Sequence, residues 1–121
     1  MKVIKKGEVP EETVNAPIFT GGTVTMQPIV TKELAKDFAM CIVNFSQGAR
    51  NKFHTHTGDQ VLIVTAGKGI VATEQEELVV GVGDIIYFPA GEKHWHGAAE
   101  NSEMSHLAIE AAGGELTQLE E

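Results

Sequence analysis

Thirteen glycines and four prolines cut the 121 residues into short runs rich in Val, Ile, Phe and Thr. Runs of four to eight such residues between turn formers suit strands; an amphipathic helix needs a longer, 3.6-periodic stretch. The pattern predicts one all-β domain over residues 1–121. Strands are expected at Thr23–Gln27, Phe38–Phe45, Gln60–Thr65, Gly69–Thr73, Glu77–Val80, Ile85–Phe88 and Met104–Glu110, with an extended piece near His54–His56. The barrel core spans about 38–110, behind N-terminal strands within 1–37 and before an acidic tail, 111–121. The segment "TKELAKD" at 31–37 reads as a helical turn or a loop, "ATEQEELV" as a hairpin tip, and "AAGGELTQLEE" as a tail that frays or forms one amphipathic turn. Many short strands mean a sandwich or a closed barrel, and composition does not choose between them.

Alternation assigns side chains to faces. Ala39, Cys41, Val43 and Phe45 share one side of their strand and Met40, Ile42 and Asn44 the other. Both sides are largely apolar, so this strand is expected to be buried on both faces or covered by a partner subunit. The net charge of −8 argues against nucleic acid, which needs a basic surface to neutralise phosphates. No apolar run is long enough to span a membrane, and the N-terminal "MKVIKKGEVPEE" lacks the apolar centre of a signal peptide, so a cytoplasmic location is expected. The single cysteine, Cys41, forms no internal disulfide and lies in an apolar run, where a thiol is more often packed than reactive.

The histidines supply the chemistry. His54 and His56 stand at i and i+2 and so project to one face of an extended segment, where two imidazoles can share a metal ion. Gln60 shares a strand face with Leu62 and Val64; an inward amide there needs a partner, which a metal supplies. His94 and His96 repeat the i, i+2 spacing after the Pro89-x-Gly91 turn, and His106 lies on the last strand, on the side of Met104, Ala108 and Glu110. Against this stands the ordinary reading of a strand histidine as a surface or hydrogen-bonded residue, which for His106 weighs equally with a functional one. Trp95, between two inward histidines, is expected to point away from them and to pack in the core or an interface.

The segment "GARNKFHTHTGDQVLIVTAG" at 48–67 resembles the first cupin motif, and "GDIIYFPAGEKH" at 83–94 resembles the second, with every spacing matched. The resemblance implies a double-stranded β-helix, or jelly-roll barrel. It also implies a metal in the barrel mouth, held at the positions of His54, His56, Gln60 and His94. Two positions depart from the pattern: Gln60 replaces a glutamate, and Ala98 an asparagine that closes the second motif. Three imidazoles and an amide leave the charge of a divalent ion uncompensated. The ion becomes a stronger Lewis acid, bound less tightly than with a carboxylate. Gln60 as a relic of a lost site is the competing reading.

The strings "HTHTGDQVLIVTAGKG", "GDIIYFPAGEKHWHGAA" and "MSHLAI" further resemble the small bacterial cupins that include manganese-dependent hydroxynitrile lyases, and cupins associated with carboxymuconolactone decarboxylases. That resemblance implies manganese, with Fe, Co, Ni or Zn as alternatives. It implies a small-molecule substrate or anion, with His96 and His106 as catalytic residues and Cys41 and Val43 as pocket walls. Cleavage of a carbon–carbon bond is the expected reaction, a dioxygenase-type oxidation or binding without turnover the alternatives. A homodimer is expected, a tetramer next.

Overall fold

The computed structural model describes every residue, Met1–Glu121. Apart from one 3-10 turn at Lys6–Glu8, the regular structure is twelve strands. They are β1 (Glu12–Thr13), β2 (Phe19–Thr20), β3 (Val24–Val30), β4 (Phe38–Phe45), β5 (Arg50–Asn51), β6 (His54–His56), β7 (Gln60–Thr73), β8 (Glu77–Gly81), β9 (Ile85–Phe88), β10 (His94–Ala98), β11 (Met104–Ala111) and β12 (Leu116–Gln118). All pair antiparallel. One layer runs β1-β3-β4-β11-β7-β9; the other holds β8, β10, β5, β2, β6 and β12. The two layers curl around a common interior, the jelly-roll arrangement.

β7 belongs to both layers. Its first half pairs with β11 and β9, its second with β10 and β8. The apolar pattern, interrupted by Gly67 and Gly69, predicts two strands here; the chain instead continues as one strand that turns the barrel corner. Gly67 makes the corner possible. Its φ is +71°, and a Cβ at this position would lie 1.8 Å from the Glu103 carbonyl oxygen.

Alternating side chains fill the interior. Val43 and Phe45 of β4, Leu62 and Val64 of β7, Phe88 of β9, and Met104 and Ala108 of β11 form its apolar part, closed by Val24 and Val71. The opposite faces of the first layer carry two apolar rows in register: Ile42, Leu107, Ile63 and Ile85, then Met40, Ile109, Val61 and Tyr87. Ile85 and Tyr87 are exposed. Residues 31–35 form a hydrogen-bonded turn, and Thr73–Glu77 forms the expected hairpin tip with exposed acids.

The tail departs from expectation. It neither frays nor coils: Leu116–Gln118 pair with β6, Leu116 opposite His56 and Gln118 opposite His54. Glu120 then accepts a hydrogen bond from the Phe53 backbone N–H (2.9 Å) and pairs with Arg50 (2.6 Å). β6 has only one bridge to β10, at His94–His54, so its free edge needs a partner, and the tail supplies it.

Candidate metal centre and adjoining cavity

β6 and β10 meet where their histidines are. His54 and His94 are direct cross-strand partners, with ring centroids 4.4 Å apart, and the His54 and His56 rings are 5.0 Å apart. One ring nitrogen from each of His54, His56 and His94 lies within 4.8 Å of the others, a cluster able to hold a metal ion. The backbone sets two of the tautomers. His54 Nδ1–H donates to the Lys52 carbonyl (2.6 Å) and His94 Nδ1–H to that of Glu92 (2.8 Å), leaving each Nε2 lone pair free. His94 is also held flat against Phe88, 3.8 Å between ring centroids. The third imidazole, His56, has its Nδ1 3.6 Å from a Glu110 carboxylate oxygen, an electrostatic contact beyond hydrogen-bond length.

Burial keeps these rings neutral. It lowers the pKa of His54 and His94 to about 4 and also lowers that of His56, against the opposing pull of Glu110. A neutral imidazole is the form that binds a metal. The residues fit such a group. His56 Nε2, His94 Nε2 and Gln60 Oε1 are all buried without a hydrogen-bond partner, an arrangement that costs free energy unless something else engages them. Gln60 lies with Leu62 on the inward face of β7 and lines the same cavity as His54 and His56.

That cavity, of about 130 Å³, extends from the cluster into the barrel. The pocket residues expected from the sequence, Cys41 and Val43, line it, as do His96 and His106. The rings of His96 and His106 lie 5.0 Å apart. Both are fully buried and both are held neutral by burial: His106 is lowered to about 4, His96 well below its usual value. Neither nitrogen of His106 has a partner, nor has Nδ1 of His96. The remaining walls are mostly apolar, and Cys41 and Glu110 also line a second, wider cleft of about 340 Å³ that includes Pro28 and Gly113. Burial raises the Cys41 thiol to about 11, so the residue is a packed wall rather than a nucleophile. Trp95 points away from the cavity, as expected, and lies beneath the Arg50 guanidinium, 4.0 Å from the ring centroid.

Among the cavity residues that sequence reasoning missed, three bear on the chemistry or the frame of the site: Glu110, Asn51 and Leu116. Glu110 enters that reasoning only as a neighbour of His106 along β11. Asn51 sits on a two-residue strand without a periodic signature. Leu116 comes from the tail. Only Glu110 carries a signal, since alternation from Met104 puts it on the inward side.

Residues 41–110 match the cupin domain family, and the chain belongs to it. The relatives are consistent in fold and varied in activity. An (R)-mandelonitrile lyase of Granulicella tundricola is 40% identical over 111 residues, covering 91% of this chain and 84% of that protein. The crystal structure of a cupin-like protein from Thermotoga maritima superposes with a TM-score of 0.82 at 31% identity, covering 99% of this chain and 90% of that one. A polyketide cyclase from Streptomyces resistomycificus superposes with a TM-score of 0.88 at 19% identity, covering 98% and 85%. The last shows the shared fold alone.

Proposed function

We propose that this cupin is a metal-dependent lyase that cleaves cyanohydrins to a carbonyl compound and cyanide, and that runs in reverse to add cyanide to a carbonyl. The observation that carries the reading is a juxtaposition. Two buried, neutral histidines with unengaged ring nitrogens, His96 and His106, line the same small apolar-walled cavity as His54, His56 and Gln60, and His94 completes the donor cluster with His54 and His56. The mandelonitrile lyase relative supports the choice of reaction.

In this reading His54, His56, His94 and Gln60 hold a divalent transition metal, manganese first and Fe, Co, Ni or Zn as alternatives. When bound, the ion supplies Lewis acidity that lowers the pKa of a hydroxyl beside it. The chain's own groups do the rest. His96 and His106 divide two tasks, taking the hydroxyl proton and steadying the leaving group. As the O–H proton passes to an imidazole, the oxygen electrons form the carbonyl. The bond to the nitrile carbon breaks, and its electron pair departs with cyanide. The imidazolium then returns the proton to give hydrogen cyanide. Val43, Cys41 and Phe45 exclude water from the developing charge, and with Leu116 they limit substrate size.

The test is turnover of racemic mandelonitrile by protein loaded with Mn(II) or Fe(II), read as cyanide and benzaldehyde release. Cyanide release that disappears in His106→Gln supports the reading. No release with either metal, together with oxygen uptake on a catechol, would make the protein an oxidoreductase instead.

We also propose a homodimer built on the two apolar rows across β4, β11, β7 and β9, since Ile85 and Tyr87 are large exposed apolar residues in line with them. Sedimentation distinguishes dimer, tetramer and monomer, and Tyr87→Lys should weaken the dimer. No helix of the protein is long and apolar enough to cross a membrane. A cytoplasmic location is a separate proposal, which cell fractionation tests.

A further inference from the structure

We infer that Asn51 is a positioning residue that fixes His96 as a hydrogen-bond donor inside the cavity, which leaves His106 as the proton acceptor. The catalytic part of this inference rests on the lyase reading; the tautomer does not.

Two contacts carry it. The backbone N–H of His96 lies 2.8 Å from Asn51 Oδ1, and Asn51 Nδ2 lies 3.1 Å from His96 Nε2, both within the buried interior. A backbone N–H can only donate, so the amide atom facing it is oxygen. The other end of the amide is then the NH₂ group, which can only donate as well. It meets His96 Nε2, which must accept. In a neutral imidazole one nitrogen accepts and the other carries the proton, so the proton of His96 sits on Nδ1. That Nδ1–H is buried and has no partner in the protein. Asn51 itself is held by its strand, whose only ladder partners are Phe19 and Thr20 on one side and Gly97 on the other.

The consequence is a division of labour. An Nδ1–H group cannot accept a hydroxyl proton without first losing its own, but it can donate to an anion or to the lone pair of a nitrile nitrogen. His106 has both ring nitrogens unpartnered, so one of them is a free acceptor, and its ring is 5.0 Å from that of His96. The His96 end of the cavity thus takes a small, electron-rich acceptor group, and the His106 end takes the proton. Asn51 touches neither reacting atom; it acts through His96.

Nitrogen-15 spectra of the histidine rings test this, recorded at pH 8 in metal-free and in zinc-loaded protein, with His96 assigned by its loss in His96→Gln. The expected spectrum has the His96 proton on Nδ1. A wild-type proton on Nε2 would overturn the inference, whatever the protein proves to catalyse. Asn51→Asp keeps the shape but offers acceptors at both ends, so the ring proton is expected to move to Nε2. Mandelonitrile kcat should then drop by about 100-fold or more while metal content stays unchanged. A variant in which the proton moves and kcat does not would sink the catalytic role. Should wild-type protein release no cyanide, the lyase reading falls, and the spectra alone decide the tautomer.

Discussion

Leu116 lies in register with His56, so the last strand of the chain is hydrogen-bonded to the strand that presents two of the candidate metal ligands. On its other side that ligand strand has a single bridge. The tail is therefore half of the frame that holds His54 and His56, and Leu116 is also a cavity wall.

Removing residues 115–121 should leave the barrel folded, because its core lies elsewhere. Metal affinity should fall by about 10-fold, the low end of the effect of losing support behind ligands. Isothermal titration with Mn(II) or Zn(II) measures the affinity, and the melting temperature checks the fold. Glu120→Ala, which releases the Arg50 pairing and the Phe53 N–H contact, should give a smaller loss in the same direction.

Gln60 separates affinity from reactivity. Gln60→Glu places a carboxylate at the buried, unpartnered oxygen position and should tighten divalent-metal binding. The added charge makes the ion a weaker Lewis acid, so kcat for mandelonitrile should fall by about 10-fold. Gln60→Ala should lose metal. Elemental analysis beside a cyanide assay reads both, and opposite movement of affinity and rate is the expected outcome.

Acid should unfold the metal-free protein before it unfolds the loaded one. Above about pH 6.5, the ordinary imidazole pKa, the folded and unfolded chains both hold these rings neutral. Below it the unfolded chain takes up protons, while folded His54, His94 and His106 resist them down to about pH 4. Stability thus falls as pH drops from about 6.5 to 4, by up to ~1.4 kcal/mol per pH unit for each histidine. A bound metal opposes this at the ligands, since protons must displace it. Melting temperatures across pH 4–8, with and without metal, provide the comparison.

Gly67→Ala should destabilise the protein by about 2 kcal/mol or more, because the residue combines a left-handed backbone with a carbonyl that a Cβ would overlap. Gly81→Ala is the control: Gly81 has negative φ, and no atom lies within 4 Å of where its methyl group would stand, so the change should be small. Urea unfolding at neutral pH reads both.

The core of the barrel and the shared faces of His54 with His56 and of Gln60 with Leu62 and Val64 were legible in the sequence because each depends on local geometry, whereas His94 joined them only through the resemblance to the second cupin motif. Alternation alone puts His54 beside His56 and aims Gln60, Leu62 and Val64 inward, and the glycine frame fixes where the turns fall. What was not legible depends on distant partners. Leu116–Gln118 are exposed and weakly patterned, and become a strand only because β6 has a free edge. Asn51 looks like any loop asparagine until β10 brings His96 against it. Gly67 reads as a break in sequence, yet close packing against Glu103 makes it a bend within one strand.

β7 runs through both layers without interruption, pairing with β11 and β9 at one end and with β10 and β8 at the other. Two sheets threaded on one spine cannot melt in sequence. Loss of order at the histidine end propagates along the same backbone that carries the opposite wall, so heat or denaturant should meet a single cooperative unit. Any ligand seated among the histidines would then shift the melting of the entire barrel, and a thermal-shift screen of metals and small anions would report on occupancy of the site.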